Sequence, residues 1–236
     1  MKNYPKTAKY DQQWIRENMM GPNALFLLED LCEHLNLKLD MRVLDMGCGR
    51  GLTSVFLARE YGVTVFANDL WISPTDNLRR FEAAGVADRV FPIHAEAHAL
   101  PYAHEFFDAA ISIDSYHYYG TDETYFPCVY SKLVKPGGQF GMVAPGFTQE
   151  FENGFPNNLR QYMAEDMFTF HSNTWWRRLW EKTGIVDVVA SYDIEDIHGV
   201  WMTYDTRWAD EFVQKDVDKV VSLVALAAVK KGGNTQ

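Results

Sequence analysis

A glycine-rich turn behind an acid is the part of this sequence best suited to hold a ligand. Asp45 ends a short apolar run, and Gly47, Gly49 and Gly51 follow it closely. Because glycine carries no Cβ, the backbone turns sharply there and a ligand can approach it closely. Asp69 lies 22 residues after Gly47. At that spacing an acid accepts hydrogen bonds from ribose hydroxyls, so the sequence predicts a nucleoside-containing ligand.

Two more acids occupy comparable positions farther along the chain. Glu96 and Ala97 follow one apolar run, and Asp114 and Ser115 follow the next. A single acid at such a point often caps a helix. Four acids at the ends of successive strands favour a shared site, because the carboxyl ends of parallel strands meet at one edge of a sheet.

Alternating apolar runs and helical patterns predict the elements that position these acids. Such an alternation is typical of an α/β fold with right-handed crossovers and a mostly parallel sheet. We predict strands over 42–45, 63–68, 89–94, 108–113, 139–143, 185–192 and 220–230, and helices over 52–61, 74–84, 122–133 and 174–183.

We expect one domain over 1–236, built around this core. It comprises an N-terminal helical cap (1–40), a cofactor-binding core (41–145), a substrate cap or insert (146–184) and final strands (185–236). The cap contains a helix over 6–20, which either packs against the sheet or folds over the ligand, and a second helix capped by Asn23.

The aromatic residues of the second half also allow two interpretations. Trp176 and Trp180 are four residues apart and can pack from one helix onto the sheet. Alternatively, with Trp201, Trp208 and the Phe-rich insert 147–170, they form an aromatic lid over the substrate, as in cation–π recognition of an amine.

The glycine spacing separates two classes of cofactor. A dinucleotide loop of the form GxGxxG requires a third glycine at position 52, where this chain has Leu52. S-adenosylmethionine carries no pyrophosphate and therefore does not need a helix N-terminus for an anion. Its amino and sulfonium groups are cationic, so an acid such as Asp45 is tolerable nearby.

With these residues the chain resembles the class I S-adenosylmethionine-dependent methyltransferases. The matching segments are VLDMGCGRG (43–51), FAND (66–69), HAEAHALPY (94–102), FDAAISIDSYHY (107–118) and LVKPGG (133–138). The resemblance is strongest to small-molecule enzymes similar to the ubiquinone-biosynthesis and glycine/sarcosine methyltransferases. It implies a Rossmann-like, seven-stranded, mostly parallel sheet with helices on both faces and an aromatic-rich insert after the fifth strand.

The resemblance also implies roles for individual residues. Asp45, Gly47, Cys48 and Gly49 would surround the methionine part of the cofactor, and Asp69 would hold the ribose. The adenine would be flanked by Leu70 and Trp71 and faced by Glu96 and Ala97, while Asp114 and Ser115 would lie beside the methionine end. Glu96 replaces the aspartate usual in the family, so its longer side chain requires a shifted strand end.

Candidate catalytic residues follow the fourth strand. His117 could titrate near neutrality and accept a proton from the methyl acceptor, or it could have a structural role. Tyr118 could steer the methyl group or shape the pocket. We expect in-line methyl transfer, in which the protein aligns the reactants and excludes water.

Composition and charge limit the binding partners and the cellular location that we expect. The net charge of −10 disfavours nucleic acid or an anionic membrane as a partner, since both reward clustered Lys and Arg. Three cysteines without a CxxC pair and a polar N-terminus predict a cytoplasmic protein without a disulfide framework.

No metal site is expected, and oligomeric state is left open. The rival functions are a nicotinamide-dependent oxidoreductase and a non-catalytic S-adenosylmethionine-binding protein.

Overall fold

The computed structural model describes residues 2–162, 164–195, 197, 200, 216 and 219–232. Trp201, Trp208 and the rest of the stretch 201–215 lie outside the described residues. No helix in the described ranges is long and apolar enough to cross a membrane.

Seven strands form one sheet in the order β3-β2-β1-β4-β5-β7-β6. The strands β1 to β5 pair in parallel, whereas β7 runs antiparallel between β5 and β6. The strand bounds are β1 Arg42–Met46, β2 Thr64–Asp69, β3 Val90–His94, β4 Phe107–Ile113, β5 Val134–Phe147, β6 Val186–Asp193 and β7 Val221–Lys230. This architecture confirms the predicted mostly parallel sheet.

Helices cover both faces of the sheet. They are α1 Gln12–Asn18, α2 Ala24–Leu31, α3 Leu52–Tyr61, α4 Pro74–Ala83, α5 Ser131–Leu133, α6 Asn157–Arg160 and α7 Asn173–Glu181, with 3₁₀ turns at Thr7–Lys9, Cys32–His34, Tyr116–Tyr118 and Glu165–Thr169 and a π-helical turn at Phe126–Tyr130.

Alternation along β1 shows how the two faces are filled. Val43 packs into a cluster with residues of α2 and α3, whereas Leu44 packs into an opposite cluster that contains Trp176 and Trp180. Both tryptophans are fully buried, which confirms their predicted packing onto the sheet. A third, smaller cluster joins Phe147 to the aromatic insert.

Three local expectations differ from the structure. The helix predicted over 6–20 is interrupted, because the side chain of Asp11 accepts hydrogen bonds from the amides of Gln13 and Trp14 and so begins α1 anew. The helix predicted from 122 begins only near the π-helical turn. Strand β5 begins at Val134, because Val134 pairs with Phe107 and residues 135–138 form a bulge before pairing resumes at Gln139.

The strand order reverses between β1 and β4, which neighbour each other in the sheet although β2 and β3 lie between them in the chain. Open α/β sheets bind ligands outside the carboxyl ends of the strands at such a switch point. Gly51 caps the start of α3 there with φ of 82°, a left-handed conformation that suits glycine.

Gly51→Ala should destabilise the fold more than Gly85→Ala. Both glycines have positive φ, at 82° and 67°, and each substitution should cost about 1–2 kcal/mol for the left-handed backbone. A Cβ at Gly51 would also overlap the ring of Phe81, whereas nothing lies within 4 Å of one at Gly85. Overpacking should add about 1–3 kcal/mol at Gly51, measurable by urea unfolding. Equal losses would contradict this packing.

Candidate functional site

A cavity of about 290 Å³ opens at the carboxyl ends of β1, β2, β3 and β4. Most of the predicted site residues lie in its wall, namely Gly47, Cys48, Gly49, Asp69, Leu70, Trp71, Glu96, Ala97, Asp114, Ser115 and Tyr118. Asp45 and His117 are not among the residues that line it. The structure therefore brings the four predicted strand ends together around one concave site.

The glycine turn forms the floor of the cavity. The amides of Gly47 and Cys48 donate to the carbonyl of Asn68 at 2.8 and 3.1 Å, which fastens the turn to the end of β2. Gly47 has φ of 74°, and a Cβ there would overlap Ser115 Oγ. Only glycine therefore allows the turn to approach the end of β4 so closely.

Asp69 joins the glycine turn to the loop that follows β2. Its Oδ2 accepts from the amide of Gly49 at 2.8 Å. Its Oδ1 accepts from the amides of Trp71 and Ile72 at 2.8 and 2.9 Å. A carboxylate has about four acceptor positions, so these three bonds leave capacity for a ligand hydroxyl.

Asp45 lies directly behind the turn and is 1% exposed. Its Oδ2 accepts from the hydroxyls of Thr53 and Ser54, both at 2.6 Å. Its Oδ1 is buried without a hydrogen-bond partner among the residues the structure describes. Burial raises the pKa of Asp45 to about 6, against the hydrogen bonds from Ser54 and Thr53.

Glu96 is held by a residue that the sequence analysis did not assign to the cofactor. Its Oε1 lies 2.9 Å from His98 Nδ1, and its Oε2 accepts from the His98 amide at 2.9 Å. The His98 side chain is the main reason that the pKa of Glu96 is lowered. His98 itself lines the cavity. Its position two residues after a strand-end acid was the only signal in the sequence.

Exposed apolar side chains stand at the mouth of the cavity. Trp71 is 67% exposed and Tyr118 is 46% exposed. Their rings meet edge to face, with centroids 5.4 Å apart. Large apolar side chains left in water at a cavity mouth are typical of a surface that contacts a ligand.

The N-terminal cap supplies part of the cavity lining, and its individual residues were not predicted. The chain from Asn18 to Ala24 contributes Asn18, Met20, Gly21, Pro22 and Ala24 to the lining. Gly21 lies so close to Asp114 that a Cβ would overlap Asp114 Oδ2. Arg50 Nη1 also donates to the carbonyl of Glu17 at 2.9 Å, so the cap contacts the glycine turn directly.

His117 lies behind Tyr118, outside the cavity lining, and is 1% exposed. Its ring packs between Tyr118 and Phe170, with centroid distances of 4.0 and 5.5 Å. Burial lowers the pKa of His117 to about 3, so the expectation that it titrates near neutrality is wrong, because an imidazolium is poorly solvated there. Its role as a base stays a prediction.

Tyr119, in the segment that supplies the candidate catalytic residues, also lines the cavity. Its hydroxyl lies 2.9 Å from that of the buried Ser112, a residue that was not predicted. Within the described residues, no group of three or more His, Cys, Asp or Glu side chains could hold a metal ion.

Comparison with known proteins identifies the segment that contains most of this site. Residues 43–138 match a family model described as a methyltransferase domain. These residues form a methyltransferase domain. It contains the glycine turn, Asp69, Glu96 and Asp114, whereas the aromatic insert and the last two strands lie beyond it.

A curated relative supports the same assignment over a similar length. The chain is 32% identical over 117 residues to Methyltransferase GfsG of Streptomyces halstedii, an alignment that covers 49% of this chain and 42% of the relative. The match thus spans less than half the length of that relative.

Solved structures share the fold over most of the chain. Geranyl diphosphate C-methyltransferase of Streptomyces coelicolor A3(2), solved with S-adenosyl-L-homocysteine, aligns with a TM-score of 0.73 at 20% identity over 87% of this chain and 75% of that one. Phosphoethanolamine N-methyltransferase 2 of Haemonchus contortus, solved with S-adenosyl-L-methionine, aligns with a TM-score of 0.74 at 18% identity over 98% and 60%. The [4+2]-cyclase SpnF aligns with a TM-score of 0.69 at 17% identity over 88% and 81%. At these identities the likeness shows the fold alone.

Replacing Asp45 with Asn should change how the stability of the methyltransferase domain depends on pH. The folded-state pKa of about 6 exceeds the unfolded value of about 3.9. The proton on Asp45 therefore stabilises the fold below pH 4, and this stability is lost as pH rises through 6. Relative to Asp45→Asn, the wild-type free energy of unfolding should fall by about 2 kcal/mol between pH 4 and pH 7.

Urea unfolding without added ligand measures this difference. Asp88→Asn is the matched control, because the Asp88 side chain is 76% exposed and stays hydrated in both states. A pH-independent difference between wild type and Asp45→Asn would show that Asp45 does not titrate as its burial requires.

Proposed function

We propose that this chain transfers a methyl group from S-adenosylmethionine to a small molecule. The observation that carries the proposal is the single cavity at the switch point, in which the glycine turn, Asp69, Glu96–Ala97 and Asp114–Ser115 share one wall. The methyltransferase domain match and the cofactor-bound neighbours of the same fold support the choice of cofactor.

The cavity fits the cofactor by its chemistry. The turn at Gly47 is a cradle that a Cβ would fill, and it suits the methionine part, which needs close backbone approach. The unpartnered oxygen of Asp45 lies buried behind that turn, where its charge favours the cationic end of the ligand. Asp69 retains acceptor capacity for the ribose, and Glu96 with Ala97 is placed to face the adenine.

Bound S-adenosylmethionine supplies an electrophilic methyl group on sulfur. The protein then has to bring an acceptor into line and keep water out. In our proposal Tyr118 contacts the acceptor at the mouth of the cavity and Trp71 flanks the adenine. The segment from Asn18 to Ala24 covers the site. His117 either serves as a base or, as its burial favours, supports Tyr118 from behind.

The charge of the cavity wall favours one chemical class of methyl acceptor. Asp69, Glu96 and Asp114 contribute three carboxylates, and among the described lining residues there is no Lys or Arg. A phosphate or diphosphate would meet no cation there. The names of two structural neighbours contain phosphorylated acceptors, and we do not extend that acceptor class to this chain. We propose instead an acceptor that is uncharged or cationic and partly apolar.

The described site does not favour the two rival functions. Position 52, where a dinucleotide loop has glycine, carries a buried leucine in the first turn of α3. One neighbour of the same fold is named as a cyclase, so the fold alone leaves a non-methylating function open. A panel of acceptors with methyl-labelled S-adenosylmethionine distinguishes catalysis from binding, since a binding protein gives no labelled product.

The remaining parts of the proposal concern organisation and location. We propose that residues 1–40 act as a cap, 41–145 as the cofactor-binding core, 146–184 as a substrate cap and 185–236 as the final strands of one domain. A cytoplasmic location without nucleic acid or membrane partners accords with the free cysteines Cys32, Cys48 and Cys128 and the net charge of −10.

The unchanged chain should bind S-adenosylhomocysteine and not NADH. Calorimetric titration with the first ligand should give saturable binding, because each part of the ligand meets a matching wall of the cavity. Fluorescence titration with NADH is the matching test of the oxidoreductase. An absence of S-adenosylhomocysteine binding at millimolar concentration would overturn the proposal.

Asp69→Asn should weaken S-adenosylhomocysteine binding at least about tenfold, because the ribose loses a charged acceptor and such hydrogen bonds contribute about 1.5–3 kcal/mol. Calorimetry compares this variant with Asp88→Asn, whose exposed side chain is remote from the cavity lining and should leave the affinity unchanged. Equal affinities for the two variants would remove Asp69 from the cofactor site.

A further inference from the structure

The peptide between Met46 and Gly47 is held from both sides. Its carbonyl, at the end of β1, accepts from Ser112 Oγ at 2.9 Å, and the Tyr119 hydroxyl lies 3.4 Å from the same oxygen. Its amide donates to the carbonyl of Asn68 at 2.8 Å. Residues of β2, of β4 and of the turn after β4 therefore fix the peptide plane at which the glycine turn begins.

The order of donors in this network follows from the number of protons. Ser112 has one hydroxyl proton, and its contact with the Met46 carbonyl at 2.9 Å is shorter than that of Tyr119 at 3.4 Å, so we assign the Ser112 proton to Met46. Tyr119 then donates its single proton to Ser112 at 2.9 Å. Burial raises the pKa of the Tyr119 phenol, which keeps that donor proton in place at neutral pH. Tyr119 therefore acts on the Met46 carbonyl mainly through Ser112.

The position of Tyr119 connects this network to the cavity. Its side chain lines the cavity wall, and its hydroxyl lies 3.8 Å from the place where a Cβ of Gly47 would be. Without Ser112 and Tyr119, the Gly47 amide alone would hold this peptide, and the Met46 carbonyl could rotate more easily. A rotated carbonyl would change the direction of the Gly47 backbone that faces the ligand.

We propose that Tyr119, acting through Ser112, is a positioning residue that sets the Met46–Gly47 peptide to receive the methionine part of the cofactor. The inference rests on the proposed function, since it assigns the glycine turn to that part of the ligand. The adenosine part lies against Asp69, Glu96 and Ala97, which this network does not hold. Loss of the network should therefore affect one end of the ligand and spare the other.

Two ligands and one matched variant test the assignment. S-adenosylhomocysteine contains the amino-acid part and adenosine lacks it. Tyr119→Phe and Ser112→Ala should each raise the Kd for S-adenosylhomocysteine about three- to tenfold, as expected for one net hydrogen bond, and leave the Kd for adenosine within about twofold. Because the two residues act in series, the double variant should raise the Kd for S-adenosylhomocysteine by less than the product of the two single-variant factors.

Tyr125→Phe is the control. The Tyr125 ring packs 5.2 Å from that of Tyr119, but its buried hydroxyl has no hydrogen-bond partner among the described residues. Removing that hydroxyl should change neither affinity. The Ser112→Ala variant keeps the test available if Tyr119→Phe does not fold.

Calorimetry with both ligands gives results that separate the proposals. Equal weakening of both ligands, an unchanged affinity for S-adenosylhomocysteine, or the same loss in Tyr125→Phe would overturn the positioning role while the proposed function stands. An unchanged chain that does not bind S-adenosylhomocysteine would instead overturn the proposed function, and the positioning role with it.

Discussion

The carboxylate of Asp69 is the interaction on which the geometry of the site depends. It accepts one amide from the glycine turn and two from the loop after β2, so two loops that are distant in sequence share one acceptor. Hydrogen bonds from backbone amides to a charged acceptor are among the stronger ones in proteins. The residue that we propose to recognise a ribose thus also connects two loops of the cavity wall. Ligand binding and loop structure therefore cannot vary independently at this position.

Asp45 complements Asp69, but the burial of its carboxylate is energetically unfavourable. A buried carboxylate with one oxygen unpartnered among the described residues is unfavourable, and two hydroxyls of α3 offset only part of this. A negative charge held in this way behind the turn is preorganised for a cation and needs no rearrangement when one arrives. The first turn of α3 is correspondingly packed, with Leu52, Thr53 and Ser54 all buried, so the helix that follows the glycines serves as structural support for the acid.

Features whose structure is determined within one short segment could be predicted from the sequence. The glycine turn, the strand-end acids and the seven strands follow from residue type, period and spacing, and each of these is a property of a short segment. The errors occur where a distant partner decides the outcome. Residue type alone allows His117 to titrate near neutrality, but Phe170 of the insert helps to bury it. Ser112 sits inside a strand and gives no signal, since its partners are the carbonyl of another strand and a tyrosine seven residues later. The interruption at Asp11 is different, because an aspartate that caps a helical turn is a local signal.

Strand β7 has a consequence for how the protein is made. It follows β5 and β6 in the chain yet lies between them in the sheet, and its side chains enter both core clusters, Leu223 and Ala225 on one face and Val224 and Leu226 on the other. During synthesis β5 therefore waits with an unpaired edge until residues near 221 leave the ribosome. Exposed apolar edges of this kind recruit other strands. Folding efficiency in the cell should thus depend on the emergence of a segment remote from the cofactor site.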